Sequence, residues 1–289
     1  MTILSGEVIA DSAPSFFHRV KNTLARPLAG RGERSRDAGR ARSAQGLDPA
    51  QKVYERFYFF KYFITNSHPL VITEGRTDNI YLKYAIRHLA SKFPSLIETA
   101  GPDVVPMVKF FNYNNQKAHR ILELTGGAGN LMRFINLYND RLKHYRYRPL
   151  MHPVMILVDN DTALTAKFRA EIKKRFNEDV TLTSNEPFYH LGNNLYFIKT
   201  PELGAGGTSC IEDLFDATIR AVQLDGKSFS LEKSIDAATQ YGKGPFAEKV
   251  VVPRAGQIVW DGFEPLLDRI SAVIADYVPP ASSIAVQAA

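Results

Sequence analysis

Cysteine and long apolar runs are almost absent from this chain. Cys210 is the only cysteine among 289 residues, so no disulfide can form within the chain, as is typical of proteins from reducing compartments. No run of 18 apolar residues occurs, and the first 20 residues include Asp11 and Arg19 and have no long apolar core. We therefore expect a cytoplasmic protein with neither a membrane span nor a secretory signal.

Several catalytic motifs are also missing. The Tyr-x-Asp-Asp motif of polymerases does not occur, and a single cysteine cannot build a zinc ribbon. The segment "DGKS" at 225–228 resembles the end of a P-loop, but Ala221 stands where that motif requires glycine. These absences exclude a polymerase centre, a zinc ribbon and a P-loop ATP site from this sequence.

What the chain does contain is typical of a globular protein with a basic balance. Its residues are 45% hydrophobic and 23% charged, which is close to the usual composition of folded domains. The formal net charge is +6. An excess of positive charge favours an anionic partner, of which nucleic acid is the commonest.

The positive charge is concentrated near the N-terminus. Between Arg19 and Ser43 there are eight Lys or Arg residues and two acids, in a context poor in large apolar side chains. This composition predicts a disordered basic linker at 1–47, or the remnant of an upstream domain. The segment is either a solvated tether or an arm that contacts phosphate.

An aromatic helix is predicted at 48–66. Asp48 and Pro49 form a good helix start, because Asp caps the first turn and Pro suits the first helical position. Seven aromatic residues lie between Tyr54 and Phe63. That face is too apolar for solvent, so we expect it to pack on the domain that follows or on a partner.

From residue 67 onward, short apolar segments alternate with amphipathic ones. Four segments have the character of buried strands: 69–73, 105–113, 153–158 and 194–200. Helical patterns lie between and after them, at 77–93, 129–146, 164–176, 210–222, 246–251 and 262–277. Such alternation predicts an α/β domain at 67–278 with a mostly parallel sheet flanked by helices on both faces, followed by a tail at 279–289.

Acidic residues follow three of the predicted strands. Glu74 follows the first strand and Asp78 lies in the next helical turn; Asp159 and Asp161 follow the third strand, and Glu212 comes after the fourth. Ligands of parallel sheets bind at the carboxyl ends of the strands, so these carboxylates are expected to converge. Converging carboxylates repel each other unless a cation such as Mg²⁺ or Mn²⁺ binds between them. The alternative for the Asp-Asn-Asp segment is a capped turn.

Two further segments are candidates for phosphate contact. In "TGGAGN" at 125–130, glycines precede a helix and would let backbone N–H groups approach an anion. The stretch "RLKHYRYR" at 141–148 alternates basic and aromatic residues, which suits a single strand, although a solvated helix end explains it equally well. The candidate residues are Arg76, Gly126, Gly127, Gly129, Asn130, Arg146 and Arg148.

The order of these motifs resembles a known family. "LVITEGRTDNIYL" followed by "ILVDND" looks like the Toprim domain of topoisomerases, bacterial primases and a group of nucleases. Over roughly residues 52–275 the chain is most similar to Toprim nuclease domains fused to some retron reverse transcriptases. The resemblance to overcoming-lysogenisation-defect nucleases is more distant. The segments that carry the closer likeness are "TGGAGNLMRFI", "SCIEDLF" and "YGKGPFAEKV".

The resemblance implies a role for each matching acid. Glu74, Asp159 and Asp161 match the Toprim acidic core and would hold one divalent metal; Glu74 is also a candidate general acid or base. Asp78 matches the acid that helps to hold a second metal in the nuclease group. Glu212 matches a later acid of the same set.

The resemblance also supplies a lysine and a serine. Lys243 matches a late lysine that would offset charge on the phosphate in the transition state, with Lys249 as the alternative. Ser209 stands three residues before Glu212, in a serine–glutamate arrangement. The expected catalytic set is therefore Glu74, Asp159, Asp161 and Lys243.

The implied function is a two-metal endonuclease that acts in phage defence. Two Mg²⁺ or Mn²⁺ ions would hold the attacking and leaving oxygens of a phosphodiester. Expected partners are DNA or RNA, a retron reverse transcriptase with its msDNA, and a second copy of the chain. No membrane is expected among them.

Three rival functions remain open. The first is a catalytically silent Toprim module that binds nucleic acid or a reverse transcriptase, and the second is a part of a primase or topoisomerase. The third is a phosphatase of the haloacid dehalogenase type, which also has an Asp-x-Asp motif after a strand. In that fold the motif follows the first strand, whereas Glu74 comes first here, and Ala163 stands where Thr or Val is usual.

Overall fold

The computed structural model describes residues 48–100, 103–111, 121–124, 127–204, 207–232 and 234–280. The predicted basic linker at 1–47 and residues 281–289 of the predicted tail lie outside these ranges. The described strands are β1 (Leu70–Ile72), β2 (Ile97–Ala100), β3 (Asp103–Pro106), β4 (Lys109–Phe110), β5 (Val154–Val158), β6 (Tyr189–His190), β7 (Leu195–Lys199), β8 (Ser228–Phe229) and β9 (Gln240–Tyr241).

The α-helices are named α1 to α8 in chain order. Their bounds are α1 (Pro49–Phe59), α2 (Arg76–His88), α3 (Ala128–Leu142), α4 (Thr162–Phe176), α5 (Ala217–Arg220), α6 (Lys243–Pro245), α7 (Val252–Arg254) and α8 (Glu264–Asp276). π-helical turns continue α1 at Phe60–Ile64 and join α6 to α7 at Phe246–Val251. Short 3₁₀ turns lie at Pro94–Leu96, Ile211–Leu214, Ala255–Gln257 and Asp261–Phe263.

The central sheet has five strands in the order β4-β1-β5-β7-β6. All neighbouring pairs in it are parallel except β6 with β7, which is antiparallel. The predicted α/β fold with a mostly parallel sheet is therefore confirmed. The antiparallel edge strand β6 was not predicted, because two residues are too few to give a sequence pattern.

The two faces of the sheet bury separate apolar clusters. In β5, Met155 and Leu157 face a cluster that contains residues of α2 and α8, whereas Ile156 and Val158 face a cluster that contains residues of α1, α3 and α4. Successive side chains of a strand point to opposite faces, so a strand covered on both sides must be apolar throughout. All five residues of β5 are buried for this reason.

The aromatic helix packs on this domain. The rings of Phe59 and Phe63 are buried, and both contact Phe134 and Tyr138 of α3, with ring centroids 4.9 Å apart for Phe63 and Phe134. The aromatic face therefore packs on the domain that follows, which is one of the two partners expected from the sequence. The ring of Phe57 in α1 remains exposed.

Four predicted elements differ from the structure. The helix expected at 210–222 is a 3₁₀ turn at Ile211–Leu214 followed by the short helix α5. The strand expected at 105–113 is split, because Pro106 ends the β2–β3 hairpin and the chain then changes partner to pair β4 with β1; residues 112–113 lie outside the described ranges. The helix expected at 77–93 ends at His88, since the chain turns to bury Phe93 before Pro94. The helix expected at 129–146 ends at Leu142.

Candidate active site

Glu74 and Asp159 meet at the carboxyl ends of two neighbouring strands. β1 and β5 pair in parallel with Ile72 opposite Ile156, so the residues that follow them leave the sheet at the same edge. The backbone N–H of Asp159 donates a hydrogen bond to Glu74 Oε1 over 3.2 Å. The predicted convergence of the first two acidic segments is thus observed.

The Asp-Asn-Asp turn is fixed by the buried residue between its two acids. Asn160 is fully buried, and its backbone N–H donates to Thr200 Oγ1 over 2.9 Å. Its side-chain amide donates to the carbonyls of Leu182, over 2.9 Å, and Gly207. These bonds tie the end of β5 to the segments around it and leave Asp159 and Asp161 on the other side of the backbone.

Glu212 reaches the same edge from the 3₁₀ turn Ile211–Leu214. The backbone N–H of Ile211 donates to Asp159 Oδ1 over 3.0 Å, so this turn is attached to the Asp-Asn-Asp segment. The side chain of Glu212 is 0% exposed, and its Oε1 has no hydrogen-bond partner among the described residues. A buried carboxylate oxygen without a partner is energetically costly, unless a ligand completes it.

Lys243 is the basic residue of this cluster. Its Nζ lies 2.9 Å from Glu212 Oε2 and 3.7 Å from Asp159 Oδ2. Burial opposes the charged ammonium, but the carboxylates of Glu212 and Asp159 outweigh it and raise the pKa of Lys243 above its usual value. Lys249, the alternative from the sequence, is exposed, so Lys243 is the lysine at the acids.

Burial and mutual repulsion raise the pKa values of the acids. Burial raises the pKa of Asp159 to about 8 although Lys243 opposes the shift, and burial with the charge of Glu212 raises that of Asp78 to about 7. Burial also raises the pKa of Glu74, helped by the charge of Asp161. The cluster therefore holds protons near neutral pH, as expected for carboxylates brought together without enough positive charge.

Asp78 and Asp161 lie at the same edge but differ in exposure, since Asp78 is buried. Asp78 caps the start of α2, where its Oδ2 accepts the backbone N–H of Gly75 over 3.1 Å. Asp161 is exposed to solvent, and its effect on the pKa of Glu74 places its charge near that residue. Both are at the expected edge of the sheet.

The carboxylate oxygens of these acids are chemically suitable ligands for a divalent cation, but they are not already arranged as a coordination shell. Among the residues that the structure describes, no three His, Cys, Asp or Glu side chains form a group that could hold a metal ion as they stand. The unpartnered Oε1 of Glu212 and the raised pKa values of Asp78 and Asp159 nevertheless show too little positive charge for these acids. Hard oxygen ligands of this kind suit Mg²⁺ or Mn²⁺.

The glycine-rich segment also adjoins the acids. The backbone N–H of Gly127 donates to the carbonyl of Glu74 over 3.2 Å, and φ of Gly127 is +78°, a conformation that favours glycine. Gly129 and Asn130 lie in the first turn of α3, whose N-terminus therefore starts beside Glu74. Gly126 lies outside the described residues.

The three predicted arginines are placed differently. Arg76 lies beside Glu74 in sequence and forms an exposed ion pair with Glu248. Arg146 and Arg148 follow the C-terminal end of α3, whereas the N-terminal end of that helix adjoins Glu74. With 15 residues at about 1.5 Å each, α3 separates them from the acids by roughly 22 Å.

Supporting residues of the site were missed by sequence reasoning. Asn160 and Thr200 hold the Asp-Asn-Asp turn, and the hydroxyl of Tyr81 donates to the carbonyl of Lys243 over 3.5 Å. Ser209 is buried and donates its hydroxyl to the carbonyl of Pro201 over 2.6 Å, so it supports the backbone rather than the acids. The available signal for Asn160 was its position between two acids directly after the buried strand β5.

Comparison with known proteins finds no matching family model and no matching solved structure. In the described part of the chain, no helix has the length and apolar character that crossing a membrane requires.

Proposed function

We propose that this protein is a metal-dependent nuclease with a Toprim-like domain. The observation that carries the proposal is the convergence of Asp159, Glu212 and Lys243 at the carboxyl edge of a parallel sheet, with Glu74 bonded to the backbone of Asp159. Three acids and one lysine in one place are a suitable set for phosphodiester hydrolysis.

The order of the motifs supports a Toprim-like domain over a haloacid dehalogenase-type phosphatase. Glu74 follows β1, the first strand of the sheet, and the Asp-x-Asp motif follows β5, which is the third strand of the sheet in chain order. A phosphatase of that type has its Asp-x-Asp motif after the first strand. The more specific proposal of a retron-type effector of phage defence is supported by the sequence resemblance.

The residues of the chain have distinct parts in the proposed hydrolysis. Glu74, Asp78, Asp159, Asp161 and Glu212 would hold one or two divalent cations, which supply positive charge that polarises the phosphodiester and lowers the pKa of water. Glu74 also holds the backbone at Asp159, and the N–H of Ile211 orients the carboxylate of Asp159.

Lys243 supplies the positive charge that would face the phosphate in the proposed reaction. The ammonium of Lys243 is 39% exposed, so it is accessible to a phosphate that approaches the acids. It would offset the negative charge that grows on the phosphate oxygens. In the overall reaction, the oxygen of water bonds to phosphorus, the P–O bond to the leaving oxygen breaks, and that oxygen takes up a proton.

One observation favours a second function, a catalytically silent module. Lys243 already places a positive charge against Asp159 and Glu212, and within the described residues no preformed metal-binding group exists. A lysine that permanently replaces the cation would stabilise the fold without catalysis. In that case the chain would bind nucleic acid or a reverse transcriptase and cut nothing.

Cleavage assays separate these functions. The purified protein is incubated with single-stranded DNA, duplex DNA, RNA and tRNA, each with Mg²⁺, Mn²⁺ or EDTA. We expect cleavage that requires the metal and is lost in Asp159→Asn and in Glu212→Gln. The matched control is Asp268→Asn, because Asp268 is an exposed acid of α8.

Three outcomes would contradict the nuclease. Binding without cleavage in every metal would support the silent module. Hydrolysis of p-nitrophenyl phosphate without cleavage of nucleic acid would support the phosphatase. Equal cleavage by Asp159→Asn and the unaltered protein would mean that the activity comes from elsewhere.

A further inference from the structure

A second surface of the molecule combines exposed rings with cations. The rings of Phe57 and Tyr147 are 52% and 53% exposed, which is unusual for side chains of this size. Phe57 contacts Tyr58 with ring centroids 5.7 Å apart. We name the surface formed by Phe57, Tyr58, Lys61, Arg146, Tyr147 and Arg148 the aromatic–basic surface.

The tertiary structure joins two distant segments to make this surface. The ring of Tyr145 stacks on Phe60, with centroids 5.9 Å apart, and its hydroxyl donates to the carbonyl of Arg56 over 2.8 Å. Tyr147 also contacts Phe60. The segment after α3 is thereby attached to α1, so the rings and cations of both form one continuous surface.

The charge of the surface is positive because its acids are already paired. Glu55 forms an ion pair with Arg141 over 2.8 Å, and Asp140 forms one with Lys143 over 2.7 Å. By contrast, Lys61, Arg146 and Arg148 have no acidic partner among the residues that the structure describes. Unpaired cations beside exposed rings are complementary to a polyanion with planar groups.

We propose that the aromatic–basic surface binds single-stranded nucleic acid. Bases of a single strand can stack on Phe57 and Tyr147 while its phosphates contact the cations, whereas the bases of a duplex are already stacked on each other. The basic segment at 1–47 carries charge of the same sign and is a poor occupant of this surface. The inference rests on the proposed function for nucleic acid as the class of partner.

The position of the surface sets a length requirement. It lies at the C-terminal end of α3, while the N-terminal end of α3 adjoins Glu74. The roughly 22 Å between the two ends corresponds to about six stacked nucleotides at ~3.4 Å each. Fewer nucleotides suffice if the strand is extended, but a mononucleotide cannot occupy the surface and the acids together, so binding and cutting become separable properties.

Fluorescence anisotropy in EDTA tests the binding without cleavage. The probe is a labelled 20-nucleotide oligo(dT), compared with a duplex of the same length. We expect the single strand to bind at least tenfold more tightly than the duplex, and Phe57→Ala and Tyr147→Ala each to weaken it about tenfold. Val259→Ala is the matched control, because Val259 is an equally exposed apolar side chain elsewhere.

The salt dependence tests the cations independently of the rings. In Arg146→Gln/Arg148→Gln, the slope of log Kd against log salt should fall by about 1.4, since each phosphate contact to a single strand contributes ~0.7. Arg87→Gln, an exposed arginine on α2, should leave the slope unchanged. All these side chains are exposed, so circular dichroism should show unaltered folding.

Four results would overturn the inference: equal affinity for duplex and single strand, unchanged binding in both sets of variants, equal weakening by the controls, or binding to phosphatidylserine vesicles in place of nucleic acid. Because EDTA prevents cleavage, loss of nuclease activity alone would contradict the proposed function but not this surface. Conversely, unchanged binding by the surface variants in EDTA would contradict the surface alone.

Discussion

Lys243 Nζ lies 2.9 Å from Glu212 Oε2, and this pair joins two segments that the sequence keeps apart. Glu212 is completely buried, whereas Lys243 is partly exposed. The lysine therefore serves two purposes at once. It offsets a buried carboxylate in the absence of a metal, and it offers an ammonium to any phosphate that approaches.

Replacing this lysine should cost stability. In Lys243→Met, the buried carboxylate of Glu212 loses its partner, and we expect the free energy of unfolding to fall by about 1–3 kcal/mol. Urea unfolding measures the change, with Lys249→Met as the matched control because Lys249 is exposed. Equal losses in both variants would contradict the pairing.

The metal-free protein should become less stable as pH rises through the neutral range. The pKa of Asp159 is about 8 in the folded chain against its ordinary value of 3.8, so between about pH 4 and pH 8 the folded state holds a proton that the unfolded state has released. Raising the pH then favours unfolding. Urea unfolding in EDTA at several pH values should show this trend, and Asp159→Asn should reduce it. A trend of the same size in Asp159→Asn would assign it to other groups.

Metal affinity should rise with pH for the same reason. Asp78 and Asp159, with pKa values of about 7 and about 8, must release their protons before they can bind a cation. Each released proton strengthens apparent binding by up to about tenfold per pH unit below the pKa. Calorimetric titration with Mn²⁺ from pH 6 to pH 8 in two buffers of different ionisation enthalpy would reveal the released protons. An affinity for Mn²⁺ that does not change with pH, with no release of protons, would contradict binding at these acids.

Gly262 supports the turn that contains Glu212. A Cβ atom at Gly262 would lie 2.2 Å from the carbonyl oxygen of Leu214, so alanine must push that turn away. We expect Gly262→Ala to destabilise the protein by about 1–3 kcal/mol and to weaken metal binding. Gly256→Ala is the matched control, because a Cβ there meets nothing within 4 Å. Thermal unfolding and Mn²⁺ titration compare the two. Equal stability of the variants would show that the turn can move freely.

The sequence by itself determined the class of fold and the acids of the site. An unbroken apolar strand such as β5 must be covered on both faces, which requires helices on both sides of a mostly parallel sheet. Residues after neighbouring parallel strands leave at one edge, so Glu74 and Asp159 were expected to meet. These conclusions depend on local periodicity, which a sequence displays directly.

Only the tertiary structure decided the remaining features. The choice of Lys243 over Lys249, the burial of Glu212 and the role of Asn160 depend on contacts between distant segments, for which the chain has no local pattern. The same holds for the aromatic–basic surface, because the sequence does not show that α1 and the segment after α3 adjoin, which depends on the contacts of Tyr145 with Arg56 and Phe60. Contacts between side chains that are distant in sequence depend on the fold as a whole, so no short segment of the sequence reveals them.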